Sequence, residues 1–258
     1  MPKSFFLFIC CVFTLIKPSI GFAWAFTEDF KQGYYWGSLP IDLSVYASSA
    51  SEGDQLSQLT EQAQQEWENT VGREIWSLRP GYVIGSGNGN HIRWSNNFAA
   101  ETGYDPSTTL AVTVRYSSGT YFSKVVIILN GGNNALRTNS QNMLKKTILH
   151  ELGHTFGLDH SQQYSIMGAN LSGVSALTYD DTQGSNAAVD ENLYRQQIGY
   201  VSPLAKDSGN KTFAACGSVA LLSSDDSDGP GPGSSFVLSL LIGLSLAMAS
   251  AVRSAKFT

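Results

Sequence analysis

The sequence predicts an α+β domain in which one twisted β-sheet is backed by two long helices. An alternating apolar run precedes a long amphipathic helix, further β-rich runs follow it, and a second helix comes directly after them. This order of strand, helix, several strands and helix is typical of a layered α+β domain. The chain has 258 residues, which is enough for one such domain and additional segments at its ends.

The predicted elements follow one another along the first half of the domain. Residues 36–49 alternate apolar and polar side chains as a strand does. Residues 54–76 form a predicted helix, because its apolar side chains recur every three or four positions. These are Leu56, Leu59, Ala63, Trp67, Val71 and Ile75, and we expect both Trp67 and Trp76 in the core. Further predicted strands are residues 82–84, 91–94, 109–116 and 121–130, of which the last two form a hairpin.

A second predicted helix, residues 140–156, leads into the stretch HELGHTFGLDH at 150–160, which holds three of the four histidines of the chain. His150 and His154 are one helical turn apart, so their rings project from the same face. Gly157 ends the helix, and the turn brings His160 back towards the other two. Three imidazoles with an open fourth position are typical of a catalytic zinc site. Glu151 lies beside them and can reach a zinc ligand without binding the metal.

Two other interpretations of these histidines are weaker. A lone helical histidine is usually a hydrogen-bonded core residue, and a structural zinc site is closed by four protein ligands. Five specified residues within eleven positions of a histidine-poor chain do not fit a chance match. The fourth histidine, His91, lies in a predicted strand, and we expect it to be structural or exposed.

The stretch matches HExxHxxGxxH, and the chain therefore resembles the metzincin family of zinc endopeptidases. Ser165-Ile166-Met167-Gly168 resembles the methionine turn of that family. The resemblance implies that His150, His154 and His160 bind one catalytic zinc ion, that Glu151 is the general base and that Met167 lies beneath the metal. It also implies the metzincin fold, with a twisted, mostly parallel sheet backed by the two long helices, and protein or peptide substrates.

Within the metzincins, the chain is most similar to the matrixin (matrix metalloproteinase-like) group. GLDHS at 157–161 matches the end of the matrixin motif, and LTYDD at 177–181 resembles the start of the last matrixin helix. Ala169 stands where astacin-like and serralysin-like members have tyrosine. Apart from the three motif histidines the chain has only His91, so a second, structural zinc ion is not expected. A cysteine-switch propeptide is not expected either, and calcium binding stays open.

Several neighbours of the motif have expected roles. A substrate should lie extended along an edge strand, which we place at residues 109–116. Leu149 and the loop after Met167 are expected to shape the substrate pocket, with Leu149 as an ordinary core residue equally compatible. Asp180 and Asp181 are expected to cap the last helix. The spacing of Tyr164 and Tyr179 does not require either to stabilise an oxyanion.

Both ends of the sequence resemble targeting segments. Residues 1–25 combine Lys3, an apolar run and Ala23-Trp24-Ala25, which predicts a signal peptide, with an uncleaved membrane anchor as the alternative. Residues 26–222 form the predicted catalytic domain, and 223–235 a Gly/Pro/Ser/Asp linker whose DDSDG is solvated rather than a calcium loop. Residues 236–258 are a hydrophobic helix with a basic tail, predicted to be a membrane anchor or a sorting signal. A GPI-anchor signal fits less well.

The charge distribution and the single remaining cysteine restrict the function further. The net charge of −5 and the absence of a basic stripe exclude a nucleic-acid partner. Without residues 1–25 the chain keeps only Cys216, a partly buried residue or else an intermolecular or modified thiol. We expect an exported endopeptidase, tethered to a membrane, sorted to the surface, or secreted after C-terminal processing, and monomeric. A binding or adhesion module is the alternative, but zinc binding alone would not require Glu151.

Overall fold

The computed structural model describes residues 23–138, 141–170, 173–205 and 210–215. The strands are β1 (Tyr35–Trp36), β2 (Ile41–Ala47), β3 (Trp76–Leu78), β4 (Val83–Ile84), β5 (His91–Ser95), β6 (Ala111–Ser118), β7 (Tyr121–Asn130) and β8 (Lys211–Ala215). The helices are α1 (Glu28–Lys31), α2 (Ala50–Val71), α3 (Phe98–Thr102), α4 (Asn134–Thr138), α5 (Gln141–Thr155) and α6 (Tyr179–Ile198), and Pro203–Ala205 is a 3-10 turn.

One mostly parallel sheet contains these strands, as predicted. The order is β3-β2-β5-β7-β6-β8, with β1 beside β7 and β4 beside β2. Strand β6 runs antiparallel to both of its neighbours, and the other pairings are parallel. The predicted hairpin is β6–β7, and Gly119 at φ 59° supplies the left-handed residue in its turn.

The first long helix ends earlier than predicted. Helix α2 stops at Val71, because Gly72 adopts a left-handed conformation with φ 76° and donates its N–H to the Glu68 carbonyl. The Glu68 carboxylate then accepts the backbone N–H groups of Ile75 and Trp76 at 2.8 and 3.0 Å. The prediction that residues 72–76 are helical is therefore wrong, and Trp76 opens β3. The apolar spacing continued past the helix because Ile75 and Trp76 are also buried.

The hairpin strand that was expected to be a sheet edge is covered over much of its length. Strand β8 pairs antiparallel with β6 from Thr113, opposite Ala215, to Ser117, opposite Lys211. The prediction of an edge strand at 109–116 is wrong for residues 113–116. An edge strand offers a row of unpaired N–H and C=O groups, and β8 satisfies part of that row.

Three tryptophans anchor helix α5 between the sheet and α2. Trp67 of α2 donates its indole N–H to the Leu149 carbonyl at 2.8 Å. Trp36 and Trp76 donate to the carbonyl and the hydroxyl of Thr155 at 2.7 and 2.9 Å. All three indoles are buried, which confirms the predicted core positions of Trp67 and Trp76. A buried indole N–H requires an acceptor, so these bonds fix the position of α5 as well as filling the core.

None of the helices that the structure describes is long and apolar enough to cross a membrane. The predicted linker 223–235, the hydrophobic segment 236–258, Cys216 and almost all of the predicted signal peptide lie outside the described residues.

Candidate active site

The structure brings three of the four histidines together at the end of α5. His150 and His154 share one face of the helix, and their ring centroids are 4.7 Å apart. Gly157, at φ 114°, turns the chain so that the ring of His160 comes within 5.2 and 5.1 Å of the other two. A side chain at Gly157 would also collide with the ring of Phe30. Among the described residues, this is the one group of three or more potential ligands placed to share a metal ion.

Hydrogen bonds to carbonyl groups determine which ring nitrogens of two histidines are free. His150 Nδ1 lies 2.7 Å from the Ile166 carbonyl, and His154 Nδ1 lies 2.7 Å from the Leu158 carbonyl. A carbonyl only accepts, so Nδ1 carries the hydrogen in both rings and each Nε2 has a free lone pair. Metal-binding histidines typically use their second ring nitrogen in this way.

The free nitrogens fit a zinc ion. The Nε2 atoms of His150 and His154 are 3.1 Å apart, although neither carries a hydrogen to share. Two nitrogens that each lie about 2.05 Å from a tetrahedral zinc ion are about 3.3 Å apart. The buried Nε2 of His160 has no hydrogen-bond partner. A cation bound among the three rings would satisfy all of these lone pairs.

Burial keeps these imidazoles neutral, as metal binding requires. Burial and then the neighbouring His160 lower the pKa of His150 from 6.5 to about 3. Burial, followed by both neighbouring histidines, holds the pKa of His154 well below its usual value. Burial lowers the pKa of His160 as well, against the opposing effect of Asp159.

Glu151 is fully buried beside the histidines, and its two carboxylate oxygens differ. Oε2 accepts a hydrogen bond of 2.6 Å from the Thr113 hydroxyl of β6, whereas Oε1 has no partner. Burial raises the pKa of Glu151 from 4.5 to about 8, while the Thr113 bond and the charge of Arg115 act in the opposite direction. A carboxyl group with a raised pKa is suited to taking up and returning a proton near neutral pH.

Asp181 supports the methionine turn in addition to its predicted capping role. Its carboxylate and the hydroxyl of Thr178 form a capping box at the start of α6. The same carboxylate accepts the backbone N–H groups of Ile166 and Met167 at 3.0 and 2.9 Å. Because the Ile166 carbonyl holds His150, Asp181 acts on the histidine cluster through the turn.

Met167 is buried beneath the helix that carries the histidines. Its side chain is 2% exposed. Its sulfur lies so close to Gly153 that a Cβ there would overlap it. Glycine at 153 therefore allows the methionine turn to approach α5 closely.

The N-terminal segment 23–27 lies beside residues 157–162, which include His160. Three backbone hydrogen bonds join these segments: Thr27 N–H to Gly157 O at 2.9 Å, Asp159 N–H to Ala25 O at 2.8 Å, and Gln162 N–H to Ala23 O at 3.3 Å. Asp180 adds a contact to each segment, accepting the Ser161 hydroxyl at 2.5 Å and the Trp24 N–H at 3.2 Å.

A buried ion pair that sequence reasoning missed supports the same helix end. Arg115 of β6 makes two bonds to the Asp29 carboxylate, at 2.7 and 3.0 Å, and donates to the His154 carbonyl at 2.5 Å. Thr113 and Arg115 lie two positions apart on one buried face of β6, and Val112 and Val114 alternate with them on the opposite face. A polar and a charged side chain on the inward face of a predicted strand could have indicated that this strand makes buried polar contacts.

The remaining expectations for single residues have mixed outcomes. Leu149 is 1% exposed, as an ordinary core residue would be, and it also lines a cavity of about 180 Å³ with Ser175; its expected part in the substrate pocket stays a prediction. His91 is buried, its Nδ1 lies 2.9 Å from the Gly89 carbonyl, and it is not part of the histidine cluster. Tyr164 and Tyr179 are exposed.

Comparison with known families identifies the family of this chain. The matrixin family model matches residues 43–189, more than half of the chain, from β2 into α6. A search of curated proteins found no match to this chain. Matrixins use a catalytic zinc ion, and the cluster of His150, His154 and His160 could bind it. The chain therefore belongs to the matrixin family, whose members are zinc-dependent metalloendopeptidases.

Proposed function

We propose that this matrixin cleaves extracellular or periplasmic proteins, with His150, His154 and His160 as the zinc ligands and Glu151 as the general base. The observation that carries the proposal is the unpartnered Oε1 of Glu151, buried next to three converging imidazoles. A buried carboxylate oxygen without a donor is costly, so its retention points to a chemical role.

Each of these residues has a separate role in the proposed peptide hydrolysis. The three histidines would hold the zinc ion, which would supply a Lewis acid for the peptide carbonyl and would lower the pKa of a bound water molecule to about 7. Glu151 takes the proton of the attacking water and passes it to the leaving amine. The Ile166 and Leu158 carbonyls keep His150 and His154 in the tautomer that binds metal. No covalent bond between the protein and the substrate is required.

The test is cleavage of a mixed peptide library by the full chain loaded with zinc, beside Glu151→Gln. We expect cuts from the first protein and at least a hundredfold fewer from the second, with equal zinc content. Equal zinc content without cleavage in either protein would instead favour the binding or adhesion module.

The ligand assignment has its own test. His160→Gln should lose bound zinc, whereas His91→Gln, a buried histidine outside the cluster, should retain one equivalent. Metal analysis after gel filtration distinguishes the variants. Full zinc retention by His160→Gln would remove that residue from the ligand set.

The export route is part of the proposal and rests on the sequence patterns at both ends. Residues 1–25 act as a signal peptide, and residues 236–258 tether the protein or direct its sorting. The contacts of residues 23–25 with the His160 segment make the cleavage position informative. N-terminal sequencing of the mature protein locates it, and an intact residue 1 would contradict signal cleavage.

A further inference from the structure

Thr113 is a buried polar residue in the middle of β6, and its side chain reaches Glu151. It is 0% exposed. Its hydroxyl lies 2.6 Å from Glu151 Oε2 and 3.2 Å from the Glu151 carbonyl oxygen. In the ionised form that acts as a base, the Glu151 carboxylate only accepts, so the single hydroxyl hydrogen of Thr113 is directed to Oε2. The 2.6 Å distance is in the range of charge-assisted O–H···O⁻ bonds.

We propose that Thr113 is a positioning residue that holds Oε2 of Glu151 and thereby reserves Oε1 for proton transfer. The inference rests on the proposed role of Glu151 as general base. The last torsion of a glutamate side chain is broad and roughly two-fold, so nothing within Glu151 itself distinguishes its two oxygens. A single donor on one oxygen removes that freedom. It leaves Oε1, which has no partner, as the oxygen that takes the proton.

Thr113 is itself held rigidly enough to do this. It pairs with Ile127 of β7 on one side and with Ala215 of β8 on the other. Its β-branched side chain has few rotamers, so a fixed backbone also fixes the hydroxyl. Two residues further along the same face, Arg115 binds the His154 carbonyl. Strand β6 thus contacts the catalytic helix at Glu151 and again one turn later.

A purely structural role for Thr113 predicts a different pattern of activity loss among Thr113 variants than the positioning role does. The bond to the Glu151 carbonyl would serve helix packing, and any residue that filled the space would preserve most of the activity. The positioning role requires the hydroxyl itself. Two pairs of variants separate these roles: wild type against Thr113→Val, in which a methyl group replaces the hydroxyl, and Thr113→Ser against Thr113→Ala.

The experiment measures kcat, KM and zinc content of the full-length zinc-loaded protein with one peptide substrate. Thr113→Val should lower kcat about tenfold to a hundredfold, the scale on which misplaced catalytic groups act, with KM and zinc content within twofold of wild type. Thr113→Ser should retain most of kcat, and Thr113→Ala should fall to the level of Thr113→Val. Thr60→Val is the matched control, because Thr60 is equally buried but donates only to the Leu56 carbonyl. Its kcat should be unchanged.

The outcomes separate this inference from the proposed function. Equal kcat in wild type and Thr113→Val, or equal loss in Thr113→Ser and Thr113→Ala, would overturn the positioning role. If Thr113→Val does not fold, the comparison of kcat between Thr113→Ser and Thr113→Ala alone decides whether the hydroxyl is required. Adding Glu151→Gln to Thr113→Val should cause no loss beyond that of Glu151→Gln alone. Undiminished cleavage by Glu151→Gln would overturn the general base first, and this inference with it.

Discussion

At the scale of single residues, the proposed active site consists of buried side chains whose protonation is set by their surroundings. The three histidines are neutral because the protein interior disfavours their charged forms. Glu151 experiences the same burial, which favours its neutral form, and Thr113 and Arg115 partly offset this. In the metal-free protein the histidines and Glu151 therefore contribute to the pH dependence of stability with opposite signs.

The first prediction concerns His150. Its folded pKa is depressed to about 3 from 6.5, so between these values the unfolded chain binds more protons and acid destabilises the fold. This contribution should lower the free energy of unfolding of the zinc-free protein by about 2 kcal/mol from pH 7 to pH 5. Glu151, whose pKa is raised from 4.5 to about 8, contributes a slope of the opposite sign throughout the range from pH 7 to pH 5. The measurement is therefore urea unfolding of wild type and His150→Gln at both pH values, and equal pH slopes would contradict it.

The second prediction concerns Asp181. Asp181→Asn replaces one of two acceptor oxygens that hold the Ile166 and Met167 N–H groups. We expect a loss of about 2–3 kcal/mol in the free energy of unfolding, because buried donors lose a charged acceptor. Zinc affinity should also fall, since the turn positions His150. Calorimetry and zinc titration measure the two effects, and Asp190→Asn, an exposed residue of the same helix, is the control. Unchanged zinc affinity in Asp181→Asn would show that the methionine turn does not position His150 for zinc binding.

At the scale of elements, strand β6 connects the rest of the sheet, helix α5 and strand β8. One face directs Thr113 and Arg115 to α5, while its backbone edge pairs with β8. An extended peptide would bind by adding a strand to such an edge. Strand β8 already takes this place beside residues 113–117, and it runs antiparallel to β6.

The third prediction follows from this occupancy. Ending the chain at Ala205, which removes β8, should lower KM several-fold for peptides long enough to pair along 113–117 of β6. Peptides that extend only a residue or two from the cut should be unaffected. Steady-state kinetics with a length series makes the comparison, and thermal unfolding verifies that the shortened protein folds. A KM that is unchanged for long peptides would show that β8 does not compete with substrate.

At the scale of the whole molecule, the N-terminal segment, the sheet and the catalytic helix meet at one buried ion pair. Arg115 and Asp29 are 1% and 2% exposed in their side chains and lie 2.7 Å apart. Arg115 also reaches His154, and Asp29 lies in α1 just after the segment that contacts the His160 loop. The pair therefore joins three regions that are distant in sequence.

The fourth prediction tests this connection. Asp29→Asn leaves Arg115 buried without its counter-charge and should destabilise the fold by about 3–5 kcal/mol. Glu101→Gln, which alters the more exposed pair with Arg93, should cost less than about 1 kcal/mol. Urea unfolding of both variants gives the comparison. Similar small losses in both would show that the buried pair does not hold these regions together.

The sequence by itself determined the order of the main strands and the two long helices, and the residues of the histidine cluster. These features depend on local periodicity: histidines four apart share a helix face wherever the helix lies, and Gly157 permits the turn that returns His160. The tertiary structure alone decided that α2 stops at Gly72, that β8 covers β6, and that Thr113 and Arg115 reach Glu151 and His154. Thr113 and Glu151 are 38 positions apart, and Arg115 and Asp29 are 86 apart. Such contacts depend on strand register and helix packing, which no local pattern specifies.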